Sequence, residues 1–313
     1  MFIFGRIYFS FMNNNNEQAI KFTFSGHDTF HCRHLWLKKG YDFINSGNKF
    51  SQEDAVVILG VGKNMVSGIN FWMRAFGIID KEGLLTEFAK YLLDDKGKDP
   101  YIEDEATLWL LHYQLVTLNI SSTYNLIFNE LRREKIEFTK DNFRTFILRK
   151  GNELNISNLN PNTIDSDFEV MSKMYIRTDA HSKDKEDTFS GLLTELNVIQ
   201  VEKREYSKKM ETFYSIVNNE RSEIPDEILF YAMLDFGRFD KSISLSTVEY
   251  EDNNIGRVFA INRTGLVNRF ESLASNPKFK KYGIVFNDNA GVKELQFKNI
   301  PKKFEILNNY YGN

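Results

Sequence analysis

The stretch ILGVGKNMVSGINFW, residues 58–72, places two glycines between two segments that carry helical signals. Ser51 and Asp54 predict the capped start of a short helix over residues 52–59, because a hydroxyl caps a helix and an acid in the first turn favours its dipole. Beyond the glycines, apolar side chains recur every three or four positions, which predicts a longer helix over residues 63–79 with one buried stripe. The stripe consists of Met65, Val66, Ile69, Trp72, Met73 and Phe76.

A phosphate-binding loop is the alternative explanation for the two glycines, Gly60 and Gly62. A Walker loop needs a glycine five positions before its Gly-Lys pair and a serine or threonine directly after the lysine, but Val57 and Asn64 stand there. The dinucleotide-binding pattern fails too, since Met65 replaces its third glycine. We therefore interpret the glycines as the turn of a helix-turn-helix.

The side of the longer helix opposite the stripe carries groups that suit DNA. Lysine and arginine reach phosphates or guanine edges, and asparagine pairs with adenine. The predicted contact residues are Lys63, Asn64, Ser67, Asn70 and Arg74. The alternative is a solvated helix face on a module that contacts proteins.

The arrangement of helices followed by a hairpin recurs along the chain. In the middle, a helix over 190–196 precedes strands over 198–201 and 212–217; near the end, a helix over 264–274 precedes two strands around residues 287–291. We predict an α+β protein, mostly helical, with multiple winged-helix-like modules, each a helix-turn-helix plus a hairpin. The predicted modules are N-terminal (22–98), central (99–220) and C-terminal (221–313), with a polar linker over 150–167.

Composition limits the kind of DNA contact. The 313 residues carry a formal net charge of −3, so any contact with DNA must be local. The single cysteine, Cys32, fits a reducing compartment, which predicts a cytoplasmic protein. No run approaches the roughly 20 apolar residues of a membrane span. Residues 1–21 are expected to be a disordered or alternative-start extension.

The stretch GHDTFHCRHLW contains three of the five histidines beside Cys32. Gly26 makes its first part a turn and no second ligand cluster is evident, so we expect a capped helix start, with no metal and no cofactor. A small polar pocket of His27, Asp28 and Arg33 could hold a phosphate or the backbone of a partner.

Acids precede an apolar helix at 101–115, and we assign them to helix capping rather than to catalysis. His112 within that helix is expected to be a hydrogen-bonded core histidine. Basic clusters are usually solvated surface, as expected at 132–135 and 278–281. One cluster falls at a predicted hairpin tip and could meet a DNA backbone. It comprises Lys203, Arg204, Lys208 and Lys209.

Three blocks, FSGHDTFHCRHLWLKKGYDF, LGVGKNMVSGINFW and IEDEATLWLLHYQL, resemble a bacterial family known as domain of unknown function 4007. The resemblance runs from Phe22 to Tyr311. Members of the family occur beside phosphoadenosine-phosphosulfate-reductase-like genes in DNA phosphorothioation and phage-defence loci. The resemblance therefore implies a DNA-linked accessory role, and it supplies no catalytic residues.

These observations together predict a non-enzymatic accessory or regulatory protein that binds double-stranded DNA and a protein partner from such a locus. A protein-interaction adaptor that never touches DNA is the first alternative. A metal-dependent hydrolase using His27, Asp28 and Arg33 is the second.

Overall fold

The computed structural model describes residues 22–177, 190–238, 240–289 and 291–312. The predicted extension at 1–21 lies outside these ranges. The protein is α+β and about half helical, with two small antiparallel sheets. The helices are α1 (Trp36–Asn45), α2 (Ala55–Leu59), α3 (Lys63–Ala75), α4 (Glu87–Leu93), α5 (Glu105–Thr117), α6 (Ser122–Leu126), α7 (Arg132–Glu134), α8 (Lys140–Glu153), α9 (Pro161–Tyr175), α10 (Asp226–Phe236), α11 (Leu245–Tyr250), α12 (Ile255–Val258), α13 (Arg263–Ser275) and α14 (Lys303–Tyr311).

The N-terminal part contains the predicted pair of helices, although the first begins at Ala55 rather than at residue 52 and has no side-chain cap. Helix α2 ends at Gly60, whose φ of 61° lies in the left-handed region that glycine adopts without strain. Gly62 then caps the start of α3. Five members of the predicted stripe are buried and Met65 is half-buried, and α3 ends at Ala75 rather than at residue 79.

Two three-stranded sheets follow the same order of elements. The first contains β1 (Glu137–Phe138), β2 (Gln200–Tyr206) and β3 (Lys209–Ser215), in the order β1-β3-β2. The second contains β4 (Ser242–Ser244), β5 (Ile284–Asn289) and β6 (Val292–Phe297), in the order β4-β6-β5. In each, a short strand precedes helices and a hairpin, and it pairs with the last strand.

The predicted linker over 150–167 is wrong. Helix α8 extends to Glu153 and α9 begins at Pro161, so the connection is short. The Asn160 side chain accepts a hydrogen bond from the Asn162 amide, and proline at the first helical position loses no intrahelical bond. The asparagine and proline that suggested a linker are instead the start signals of a helix.

Two other segments differ from expectation. The helix predicted over 190–196 is only a 3-10 turn at Thr194–Leu196. The strands of the central hairpin are longer than predicted and meet at Ser207 and Lys208, both with positive φ. The backbone of this turn reverses the chain within two residues, which keeps the strands paired up to the tip.

One large hydrophobic core takes residues from the N-terminal, central and C-terminal parts of the described chain, and a smaller second cluster contains Phe43, Ala55, Leu59 and Val66. Helix α5 lies at its centre, with residues 106–116 all buried. Asp104 caps this helix by accepting a hydrogen bond from the Ala106 amide at 2.8 Å. This agrees with the prediction that the acids before the helix serve in capping. No helix in the described ranges is long and apolar enough to cross a membrane.

The short helix α12 is held by polar side chains from the central part. His112 bonds the Val258 carbonyl through Nε2 at 2.8 Å and contacts the Tyr175 hydroxyl through Nδ1 at 2.7 Å, so it is a hydrogen-bonded core histidine as predicted. The guanidinium of Arg132 donates to the Gly256 carbonyl at 3.2 Å. These bonds satisfy carbonyls at a helix end that would otherwise be buried without partners.

The pKa of His112 is lowered to about 4, mainly by burial and also by the positive charges of Arg221 and Arg132, while the hydrogen bond to the Val258 carbonyl opposes this shift. In the unfolded chain the His112 imidazole is protonated near pH 6.5, whereas in the folded chain it stays neutral until about pH 4. Its contribution to the free energy of unfolding is therefore fully present above pH 6.5 and decreases as the pH falls towards 4. We expect a loss of about 3 kcal/mol from this residue across that interval.

Urea unfolding of the wild type and of His112→Gln over this pH range measures the effect. The variant should be less stable at neutral pH and should show a shallower dependence on pH than the wild type. Identical slopes for the two proteins would contradict the buried neutral histidine.

Candidate nucleic-acid interface

The polar side of α3 faces solvent. Lys63, Asn64, Ser67 and Arg74 are exposed and Asn70 is half-buried. In the described part of the chain, their side chains form no hydrogen bond or ion pair with another residue. The structure therefore places the five predicted contact residues together on one helix, with their donors and charges available to a ligand.

The turn before α3 leaves the start of this helix open. Gly62 occupies the N-cap position but has no side chain to accept a hydrogen bond, and no other side chain in the described ranges caps the first turn. Lys63 and Asn64 follow at exposed positions. Free amides at a helix start favour an anion, and Lys63 adds a full positive charge beside them.

A loop at residues 25–30 packs against the middle of α3. Gly68 lies on the buried side of α3, where a Cβ would sit 3.3 Å from the His27 carbonyl oxygen. The imidazole of His27 stacks on the Trp72 ring, with centroids 5.5 Å apart and planes 4° from parallel. Trp72 Nε1 donates to the Phe30 carbonyl at 2.9 Å. The absence of a side chain at Gly68 allows this close approach.

The same loop is anchored to the central part by Asp167 on α9. Oδ1 of this carboxylate accepts from the Ser25 amide at 2.7 Å and lies 3.4 Å from His27 Nε2. Its Oδ2 accepts from the Thr123 hydroxyl at 3.4 Å. Both His27 and Asp167 are 1% exposed, so the pair is shielded from water and from salt.

The predicted polar pocket of His27, Asp28 and Arg33 is spread over different surroundings. His27 is buried against Asp167, whereas Asp28 is exposed at a φ of 48°. The Arg33 guanidinium lies 5.4 Å from the centre of the Trp36 ring. Of the three, only Asp28 presents its side chain fully to solvent.

The histidines of the same stretch do not share one environment. His31 is buried and His34 is exposed. Across the described ranges, no three histidine, cysteine, aspartate or glutamate side chains are grouped as metal ligands.

The central hairpin divides the predicted basic cluster. Lys208 and Lys209 lie at the exposed tip between β2 and β3, while Lys203 is exposed in the middle of β2. Arg204 lies 3.9 Å from the centre of the Phe213 ring and pairs with Glu137. The lysines therefore keep their charge available, but the guanidinium of Arg204 is already neutralised.

The polar residues of α9 and α13 provide a comparison with those of α3. On α9, Asp165 pairs with Arg144 at 2.7 Å. On α13, Arg269 bonds Asp226 at 2.8 Å, and Asn268 donates to Glu220 at 3.1 Å. Asp165, Asn268 and Arg269 are thus engaged by partners of opposite charge or by acceptors, unlike the polar residues of α3.

A model of the family described as "Protein of unknown function (DUF4007)" matches residues 24–311. The chain belongs to this family. Two similar solved structures are described as "SspB crystal structure" and "Magnesium ion-bound SspB crystal structure". They are 28% and 27% identical to this chain, and each has a TM-score of 0.79. Each match covers 94% of this chain and 89% of the other. No curated protein matches the chain.

Two residues that shape the interface of this DUF4007 member were missed by sequence reasoning. Gly68 could have been identified, because a glycine inside a helix costs stability unless a neighbour approaches closely. Asp167 gave no such signal, because its partners Ser25 and Thr123 are 142 and 44 residues away in sequence.

Replacement of Asp167 by alanine should destabilise the protein by about 3 kcal/mol, because Ser25, Thr123 and His27 lose their buried acceptor together. Chemical denaturation measures this loss. Glu169→Ala on the same helix is the matched control, since its side chain is 60% exposed in a surface pair with Lys140. Equal losses for the two variants would show that the Asp167 contacts contribute little.

Proposed function

We propose that the protein binds double-stranded DNA through α3, as an accessory or regulatory component of a bacterial DNA-modification or anti-phage system of the phosphorothioation type. One observation carries the proposal: the exposed side of α3 combines two cations with amide and hydroxyl groups, and none of them is paired within the described chain. Such a helix reads bases and phosphates in the major groove.

The arrangement around the two sheets supports winged-helix modules. In both, a short strand, helices and a hairpin follow in order, and the first strand pairs with the last. In the N-terminal part, α1, α2 and α3 precede a small turn closed by the bridge between Ile79 and Leu85. We therefore interpret the chain as three such modules, at 22–98, 99–220 and 221–313.

The distribution of unpaired charges favours the N-terminal module as the part of the chain that contacts the bases of DNA. In the other two modules, Arg144 is paired with Asp165 of α9, and Arg269 of α13 is paired with Asp226, so these cations would have to break those pairs to bind DNA. The exposed Lys203, Lys208 and Lys209 of the β2–β3 hairpin support a second contact with the DNA backbone. Arg204 is assigned no direct contact, because its charge is neutralised by Glu137.

The biological setting of the proposal comes from family resemblance. Family members occur in DNA phosphorothioation and phage-defence loci, and the similar solved structures carry the name SspB. A partner protein from such a locus is proposed from the same resemblance, and a cytoplasmic location is proposed from the single cysteine, Cys32.

The double variant Lys63→Ala/Arg74→Ala should weaken binding to a duplex by at least about tenfold. Each lost phosphate contact should lower the slope of log K against log salt by about 0.9, so the slope should fall by about 2 if both residues contact phosphates. Fluorescence anisotropy over a salt series measures both quantities. Folding should be unaffected, because both residues are exposed and unpaired.

Lys90→Ala/Lys96→Ala removes the same charge from exposed positions elsewhere and serves as the control. Unchanged binding by the α3 variant would move the contact to another surface. If the wild type bound no duplex of any composition at low salt, the protein-interaction adaptor would replace DNA binding as the assigned function.

A magnesium-dependent hydrolase is the second candidate, and it is favoured by one observation: a similar solved structure is described as magnesium-bound. Magnesium needs only one or two carboxylates when substrate phosphates and water supply its other ligands. The exposed Asp28, beside the loop that packs on α3, is the member of the predicted pocket that could take this part.

Incubation of supercoiled plasmid with the protein, in magnesium and in chelator, tests this candidate. A hydrolase should relax the plasmid only with magnesium, and Asp28→Asn should lose the activity while retaining duplex binding. An intact plasmid under all conditions would argue against hydrolysis, and cleavage by Asp28→Asn would remove this residue from the site.

A further inference from the structure

We infer that the C-terminal module carries a second nucleic-acid contact surface, which binds the phosphodiester backbone without reading its sequence. The surface is the lysine patch Lys280, Lys281, Lys298 and Lys302. This inference rests on the proposed DNA binding and extends the footprint from α3 to the opposite end of the sequence.

The backbone places the segments that carry these lysines next to one another. A 3-10 helix at Pro277–Tyr282 carries the first two, and Lys298 and Lys302 flank the loop between β6 and α14. The Lys298 amide donates to the Gly283 carbonyl at 3.3 Å, and the next residue, Asn299, donates to the Tyr282 carbonyl at 3.0 Å. These bonds hold the two segments side by side.

Gly283 lets one lysine lie flat across this junction. Its φ is +60°, and a Cβ at this position would sit 2.7 Å from Cβ and 3.5 Å from Cδ of Lys298. The aliphatic stem of Lys298 therefore crosses the glycine, which leaves the ammonium group at the surface. Any other residue at 283 would displace that stem.

One carboxylate balances the patch only in part. Glu305 accepts from Lys281 Nζ at 2.5 Å and from the Tyr282 hydroxyl at 2.8 Å. These hydrogen bonds hold the pKa of Glu305 below its usual range, so it stays ionised as the partner of Lys281. Lys280, Lys298 and Lys302 are exposed, and the described residues offer none of them a carboxylate partner.

A phosphodiester backbone is the partner that fits this patch. Lysine binds phosphate as a point charge and does not impose the bidentate geometry of arginine. An excess of positive charge in a protein with a net charge of −3 attracts a polyanion locally, since salt screens the distant acids beyond about 10 Å. The contact should therefore be insensitive to sequence and sensitive to salt.

The test compares the full-length triple variant Lys280→Ala/Lys298→Ala/Lys302→Ala with the wild type, by anisotropy on two duplexes of different sequence over a salt series. Lys281 stays in place because it holds Glu305. We expect binding to weaken by at least about tenfold and the salt slope to fall by about 2 to 3, equally on both duplexes. Thermal unfolding should be unchanged, because the three side chains are exposed.

Lys49→Ala/Lys90→Ala/Lys135→Ala removes the same charge from exposed sites elsewhere, and its slope should change by less than about 1. A patch variant that matches this control would overturn the inference while leaving α3 binding intact. If the wild type bound no duplex, the proposed function would fail first.

Binding of polyglutamate tests whether the patch is instead a site for an acidic polypeptide. If the wild type bound polyglutamate, and the patch variant lost this binding but kept the wild-type affinity for duplexes, the patch would be a site for an acidic polypeptide and the inference would be wrong. Loss of duplex binding by the variant, with weak polyglutamate binding by the wild type, supports the backbone contact.

Discussion

The orientation of α3 depends on one buried carboxylate. Asp167 would be costly inside the protein without donors, and Ser25, Thr123 and His27 provide them. Thr123 lies on α6, whereas Ser25 and His27 lie in the loop that packs on Gly68, so the carboxylate connects α9 to α3 through that loop. The hydrophobic stripe of α3 keeps the helix in the core with its polar side outward, and the contacts of Asp167 hold the loop that packs against it.

Local patterns predicted α3 well and α9 poorly, for physical reasons. A helix with one apolar and one polar side can be recognised in the sequence because its apolar residues recur every three or four positions, and a glycine turn marks its start. The region of Asn160 and Pro161 has polar residues that serve helix starts as well as linkers, and composition alone does not distinguish these uses. The role of Asp167 depends on residues far away in sequence, so no local window contains it.

Ion pairs between residues far apart in sequence could not be predicted either. The sequence shows four basic residues around the central hairpin, but only the fold shows that Arg204 is neutralised by Glu137, 67 residues earlier in the chain. Along the exposed strands, polar residues face both sides, so alternation gave no guide to strand length. The grouping of the α3 residues could be predicted from the sequence because all of them lie on one helix. The lysine patch needed tertiary contacts, such as that between Lys298 and Gly283.

A net negative charge is compatible with DNA binding if cations are distributed unevenly. Many basic side chains here face a carboxylate, as Arg144 and Lys281 do, and add little to the attraction for DNA. The unpaired cations of α3, the hairpin tip and the lysine patch act over about one Debye length, whereas acids farther away are screened. Such separated contacts strengthen one another when a single duplex reaches several of them, because the first contact raises the effective concentration at the next. Binding would then depend on how the modules are held relative to one another. The affinity of α3 for DNA would therefore also depend on the packing around Asp167.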